Sequence, residues 1–301
     1  IFSKFEKKKE KINEEIKYLN IAHNQSINSK IKYNSNTLFY YKNILSNSFK
    51  KKKIHNSVNK SKIFSMSNPV FIIGLPRSGS TLVESLISQS SENIKSYGEF
   101  HAIDTSIRNQ IGPLIFSKNF KINNFEFLIN IEKLQKSLLE TYKEFDNKKF
   151  IDKSLENFFY VDVILEIFPN AKFIHTFRNQ YDAIIGIYQS MMPDLSWAHR
   201  LNDITEYVYN YEKIINFYKN KYPKSILDVD LEKITNNPNI ESEKIFHFLE
   251  IQWNNNYLNF YKNKNLFSKT SSFMQIRNKI EPYKKSKYYP YYFLIDNLNI
   301  I

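Results

Sequence analysis

The sequence predicts an α/β fold, a parallel sheet with helices on both faces, preceded by a short helical extension. Three observations carry this expectation. From Pro69 onward, short apolar runs alternate with segments of helical periodicity, the pattern of parallel strands joined by crossover helices. The first run, Val70 to Gly74, passes through a tight turn directly into an amphipathic segment. Pro169 and Pro223 stand just ahead of two further apolar runs, where they end the preceding helices.

In chain order, residues 1–66 read as a helical extension and linker, and residues 67–301 as the main domain. Ile12, Ile16, Leu19 and Ile21, then Leu38, Tyr41, Ile44 and Leu45, recur at helical spacing and predict two or three helices. The run Lys50 to Lys53, in a polar tract ending near Ser67, reads as a solvated linker. No complete repeat of roughly 34 residues is visible. The chain opens on Ile1 rather than Met, so an incomplete N-terminus, with a repeat array or targeting segment upstream, stays open. Strands are expected at 70–74, 149–152, 172–177 and 225–229. Helices are expected at 80–90, 130–145, 158–167, 181–190, 201–221 and 241–250. The weakly periodic stretch 101–127 is a candidate cap over a site.

Composition narrows the function classes. The formal net charge is +13, from 43 basic and 30 acidic residues. Lys, Asn, Ile, Phe and Tyr are abundant along the whole chain, so the charge reads as a compositional bias and not as a nucleic-acid patch. There is no cysteine, which excludes disulfides and thiolate metal sites. The six histidines show no ligand spacing, and no metal is expected. No run approaches the roughly 18–20 apolar residues of a spanning helix, and no signal-peptide pattern is present. A soluble, cytoplasmic protein is expected.

The segment from Pro69 to Ile87 is the most informative. A strand reaches Gly74, a turn carries Arg77, Ser78, Gly79, Ser80 and Thr81, and a helix with Leu82 in its first turn follows. Backbone N–H groups at a helix start have no intrahelical acceptor, and the helix dipole adds positive charge there, so the turn is a cradle for phosphate or sulfate. Gly79 lets the backbone approach the anion, and the hydroxyls of Ser78, Ser80 and Thr81 offer donors. A nucleoside-triphosphate loop places lysine before its Ser/Thr. Here Ser80 stands at that position and the cation has moved into the turn, at Arg77, whose fork grips a tetrahedral oxyanion without a metal.

The run Pro76, Arg77, Ser78, Gly79, Ser80, Thr81, Leu82 resembles the 5′-phosphosulfate loop of sulfotransferases that use 3′-phosphoadenosine-5′-phosphosulfate. It is nearest the bacterial and tyrosylprotein-type branch, whose loop reads Pro-Arg-Ser-Gly-Thr-Thr-Leu. The resemblance extends in the family's order to about Tyr289. It implies a catalytic lysine at Lys153, in a segment like the family's Asp-Lys-x-Pro-x-Asn with Leu155 in place of proline. It implies a 3′-phosphate clamp at Arg178, after a strand like the family's Phe-Ile-x-x-x-Arg-Asp-Pro. Gly186 falls where the family carries a second 3′-phosphate ligand, a serine; Ser190 lies one turn on. Gly98 and Glu99 match the Gly-Glu of the tyrosylprotein-type branch, which makes Glu99 the base, with His101 the runner-up. The stretch from Thr270 to Arg277 resembles Thr-x-Ser-x-x-Gln-Val-Arg. That places Ser272 beside Lys153 in transition-state stabilisation and Arg277 and Lys287 at the donor, though Ser286 replaces the usual glycine and Leu231 a frequent tyrosine.

The implied activity is in-line transfer of a sulfuryl group to a hydroxyl of a peptide tyrosine, a glycan or a small phenol. A carboxylate is a far weaker base than a phenolate, so Glu99 is expected to take the proton as the new bond forms. Two other readings stay open: a kinase-like transferase on the same loop, and a non-catalytic donor-binding protein. Oligomeric state has no sequence signal.

Overall fold

The computed structural model describes residues 2–29, 68–90, 94–115, 130–142, 149–263 and 275–298. Among the described residues five strands, β1 (Val70–Gly74), β2 (Lys95–Ser96), β3 (Phe150–Asp152), β4 (Lys172–Phe177) and β5 (Ile226–Asp230), form one sheet in the order β2-β3-β1-β4-β5. Every pairing is parallel. The helices are α1 (Phe2–Lys8), α2 (Ile12–Ser29), α3 (Ser80–Ile87), α4 (Ala102–Ile115), α5 (Ile131–Thr141), α6 (Val161–Ile167), α7 (Gln180–Ser190), α8 (Leu201–Lys221), α9 (Leu231–Asn236), α10 (Pro238–Phe248) and α11 (Phe293–Asp296). No helix among the described residues is long and apolar enough to cross a membrane.

The chain packs as two compact units. One comprises Ile1–Ser46, Arg178–Lys213 and Lys284–Ile301, the other Asn47–Phe177 and Ile214–Tyr283. The second holds the whole sheet. Its central strand β1 is buried at every position, which is why it reads as an unbroken apolar run. Alternate side chains leave opposite faces. Val70 and Ile72 meet Val83, Leu86 and Ile87 of α3, with Ile234 of α9 and Ile245 and Phe246 of α10 in the same cluster. On the other face Phe71 packs on Phe168 and Phe173, at 6.2 and 5.4 Å between ring centres. Tyr142 and Phe150 extend that aromatic layer. Each such side chain contributes about 1.5–3 kcal/mol on full burial.

In the other unit, α2 turns Glu15, Leu19 and His23 inward. Glu15 accepts from the Tyr291 hydroxyl at 2.5 Å and from Gln189 Nε2 at 3.3 Å. His23 stacks on Tyr188 with 4.1 Å between ring centres. Its Nε2 lies 3.0 Å from the Tyr188 carbonyl, which only accepts, so Nε2 carries the proton. Its Nδ1 then accepts from Nδ1–H of His199, 3.0 Å away.

Several expected elements differ in detail. The stretch 101–127 begins with a regular helix, α4; residues 116–129 lie outside the described residues. Its periodicity is blurred because buried Asp104 faces inward, accepting from Tyr160 at 2.6 Å and pairing with Arg108 at 2.7 Å. The helix expected at 158–167 is a 3₁₀ turn, Leu155–Tyr160, followed by α6. β5 runs to Asp230, whose carboxylate then caps α9 by accepting from Glu232 N at 2.8 Å. α10 starts three residues earlier than expected, at Pro238, where the missing N–H costs nothing. The stripe from Leu38 to Leu45 and the lysines at 50–53 fall outside the described residues.

Candidate active site

β1 delivers the turn to the carboxyl edge of the sheet, at its centre, where the crossovers diverge to either side. Gly74 (φ +146°) is required there, since a Cβ would stand 2.3 Å from the Thr176 carbonyl of β4. Ser78, 1% exposed, does not present its hydroxyl outward. The hydroxyl donates to Leu75 O at 2.6 Å and pairs with Thr176 Oγ1 at 2.8 Å, fastening the turn to β4. Gly79 (φ +92°) opens α3, and the first helical bond is Val83 N to Gly79 O at 3.1 Å. The N–H groups of Ser80, Thr81 and Leu82 therefore have no acceptor within the helix. Arg77 adopts φ +66°, a left-handed conformation that costs a non-glycine residue of order 1–3 kcal/mol and is held by the turn around it. Leu231 packs against the turn, its Cδ1 2.6 Å from where a Gly79 Cβ would be.

β3 delivers the lysine. Asp152 is fully buried and accepts from Tyr142 OH at 3.0 Å, Ser154 N at 2.8 Å and Asn157 Nδ2 at 3.3 Å. Burial pushes its carboxyl up against those bonds. Asp152 and Asn157 thus fix the bend that follows the strand, and Lys153 N is tied to Gly98 O at 2.9 Å. The Lys153 side chain is 1% exposed. Its ammonium lies 2.9 Å from Glu99 Oε1 and 3.7 Å from Glu84 Oε2. Glu84 sits on α3 one turn after Ser80, roughly 6 Å along the helix axis from the cradle. It accepts from Ser96 Oγ at 2.5 Å, and Ser96 Oγ accepts from Gly98 N at 3.1 Å. Burial raises the Glu84 carboxyl, while Lys153 and Ser96 pull it down; the net shift is upward. Sequence reasoning missed Glu84, although a charge between Val83 and Leu86 on a core-facing helix was a usable signal. His101 (φ +53°) is exposed, and its N–H donates to Ser154 Oγ at 2.7 Å.

In the other unit, Arg178 follows the last residue of β4 in the chain. Its guanidinium lies 4.2 Å from the Tyr288 ring centre and 3.6 Å from buried Asp182. Asp182 also accepts from Tyr292 OH at 2.7 Å. Lys287 approaches the same Tyr288 ring at 5.2 Å. Burial pushes the Tyr288 phenol up, but Arg178 and Lys287 outweigh it and the phenol ends below its usual value. Gly186 is buried within α7. Ser190 donates its hydroxyl to Gly186 O at 2.6 Å, so that group is engaged in its own helix. Arg277 is exposed on the short turn Gln275–Arg277, anchored by buried Ile276. Ser272 lies outside the described residues. The structure brings Glu99 to Lys153 and Lys287 to the Tyr288 ring that Arg178 covers.

The chain is similar to several known proteins. Residues 69–255 match the model of the Sulfotransferase family. An uncharacterized protein of Aquifex aeolicus is 30% identical over 231 residues, covering 70% of this chain. This chain spans only 29% of that relative's length. Among solved structures, the sulfotransferase domain from the curacin biosynthetic pathway is similar with TM-score 0.49 and 15% identity, over 78% of this chain and 93% of its own. The sulfotransferase domain of the Synechococcus PCC 7002 olefin synthase is similar with TM-score 0.49 and 17% identity, over 83% and 93%.

Proposed function

The chain belongs to the sulfotransferase family, and we propose that it transfers a sulfuryl group from 3′-phosphoadenosine-5′-phosphosulfate to an acceptor hydroxyl. The observation that carries this reading is the buried Lys153 ammonium, held between Glu99 and a carboxylate of the very helix that begins at the anion cradle. The cradle suits the donor's phosphosulfate, because its donors are first-turn N–H groups of α3 with Arg77 beside them in the turn. Lys153 and Ser272 stabilise the charge that develops on the leaving oxygen, and Glu99 takes the acceptor's proton as the new bond forms. The resemblance assigns the 3′-phosphate to Arg178 and Lys287, with Arg277 a further donor contact. Leu82, Ser80 and Thr81 present backbone N–H groups, while Ser78 keeps the turn in shape. Gly186 adds no hydroxyl of its own to the 3′-phosphate. The loop arginine and the Gly98–Glu99 pair follow the tyrosylprotein-type branch, so a peptide tyrosine is the first acceptor to try, before glycans and small phenols.

Nucleotide binding tests the donor half of this proposal. The product 3′,5′-bisphosphate should raise the melting temperature, and adenosine 5′-monophosphate should raise it much less. Equal stabilisation by both would remove Arg178 and Lys287 from the 3′-phosphate.

A further inference from the structure

Lys153 has two carboxylate neighbours, and they differ in kind. Glu99 is nearer, at 2.9 Å, and 45% of its side chain is exposed. Glu84 is at 3.7 Å and only 11% exposed. Glu99 carries conflicting demands, because a carboxylate paired with an ammonium is a poorer proton acceptor than one that is not. To act as base it must part from Lys153. A buried ammonium without a counter-charge is strongly disfavoured, so a second carboxylate has to stay.

We propose that Glu84 is the positioning residue of this site, holding the Lys153 ammonium toward the anion cradle while Glu99 is released to the acceptor. Glu84 is suited to stay. One oxygen is fixed by Ser96, and its backbone belongs to the helix whose first turn forms the cradle. Through Ser96 the same carboxylate reaches Gly98 N, which sets the main chain immediately before Glu99. Gly98 adopts φ +62°, the left-handed conformation that glycine takes without steric cost, and so lets the chain turn beside Glu84. Burial works against the charge on Glu84, so packing alone gives no reason for a carboxylate at this place. The inference rests on the sulfuryl-transfer reading for its purpose, but the hold on Lys153 can be measured without any transfer.

The test compares Glu84→Gln and Glu84→Asp with the wild-type chain. Acetylation of Lys153 by acetic anhydride, followed by peptide mass spectrometry, reads how firmly the amine is held. In Glu84→Gln it should acetylate faster than in wild type, with Glu84→Asp intermediate. Turnover in Glu84→Gln should fall about tenfold or more, because the variant removes a counter-charge from a buried ammonium. Affinity for 3′,5′-bisphosphate should stay within about twofold, as for an interaction that acts only in the transition state. An unchanged acetylation rate in Glu84→Gln overturns the proposal, as does a loss of nucleotide affinity equal to the loss of turnover. If the Gln variant does not fold, Glu84→Asp decides, and wild-type acetylation and turnover in it overturn the proposal. If wild type transfers no sulfuryl group, the functional reading fails by itself, and the acetylation rates still decide whether Glu84 holds Lys153.

Discussion

The Lys153 ammonium and the Glu99 carboxylate are in contact, 2.9 Å apart, although 54 positions separate them in the chain. The tie between Lys153 N and Gly98 O places them there, because it brings the loop before Glu99 alongside the end of β3. The group proposed to stabilise the leaving oxygen and the group proposed to accept a proton therefore share one charge interaction. Chemistry at either must disturb the other.

Glu99→Gln keeps the shape of the side chain and removes the proton acceptor. Turnover should fall, while affinity for 3′,5′-bisphosphate is retained. The loss should shrink for acceptors with acidic hydroxyls, which need less help in giving up a proton. Full activity of this variant on a weakly acidic hydroxyl would make His101 the next candidate base.

The two glycines bounding the turn should respond differently to alanine. At Gly74 a Cβ meets backbone, the Thr176 carbonyl at 2.3 Å, and no rotamer relieves it. At Gly79 it meets the tip of Leu231 at 2.6 Å, which can move. Gly79→Ala should cost about 1–3 kcal/mol, mostly for its positive φ, and Leu231→Ala in the same chain should recover part of that. Gly74→Ala should cost more, and no side-chain trimming should rescue it. Urea unfolding of the variants checks this, and a Gly74→Ala protein as stable as wild type contradicts the close approach of β1 and β4.

Stability should weaken in mild acid through His23. Burial, with His199 adding to it, holds the His23 imidazole at about 4, below its ordinary 6.5. The unfolded chain takes up a proton near pH 6.5 and the folded one does not, so stability rises with pH across this window. The contribution is complete above about pH 6.5 and is lost as the pH falls toward 4, by at most about 3 kcal/mol. His23→Phe should be less stable at pH 7.5 but should show a smaller drop between pH 7.5 and 4.5 in urea unfolding. An equal drop in both proteins would place the acid sensitivity elsewhere.

The sequence disclosed the parts of this fold that carry a strong local pattern. β1, β4 and α8 have the bounds expected of them, because interior parallel strands leave short, mostly apolar runs and a long amphipathic helix leaves a clear period. β2 has only two residues at a sheet edge and no period to read. On α2 the expected stripe included Ile21, which is 46% exposed, whereas Glu15 and His23 are buried. Their partners, Tyr291 and His199, lie so far along the chain that no local pattern can announce them. For the same reason the segments at 178–213 and 284–301 give no local sign that they share a unit with the opening helices. Lys153 and Glu99 were legible as motif residues, but their contact was not, and Glu84 belongs to none of the motifs. Ser78 was legible as a loop residue, but not that its hydroxyl is spent on Leu75 O within the turn and on Thr176 of β4.

The most direct test of the account follows labelled sulfate from 3′-phosphoadenosine-5′-phosphosulfate into tyrosine peptides, glycans and phenols, with Lys153→Ala beside wild type. Wild type should label one of these pools. Lys153→Ala should label it roughly a hundredfold more slowly, as for loss of an oxyanion donor, with 3′,5′-bisphosphate binding much less affected. Label transfer by Lys153→Ala at the wild-type rate, or no transfer by wild type to any hydroxyl, would contradict it.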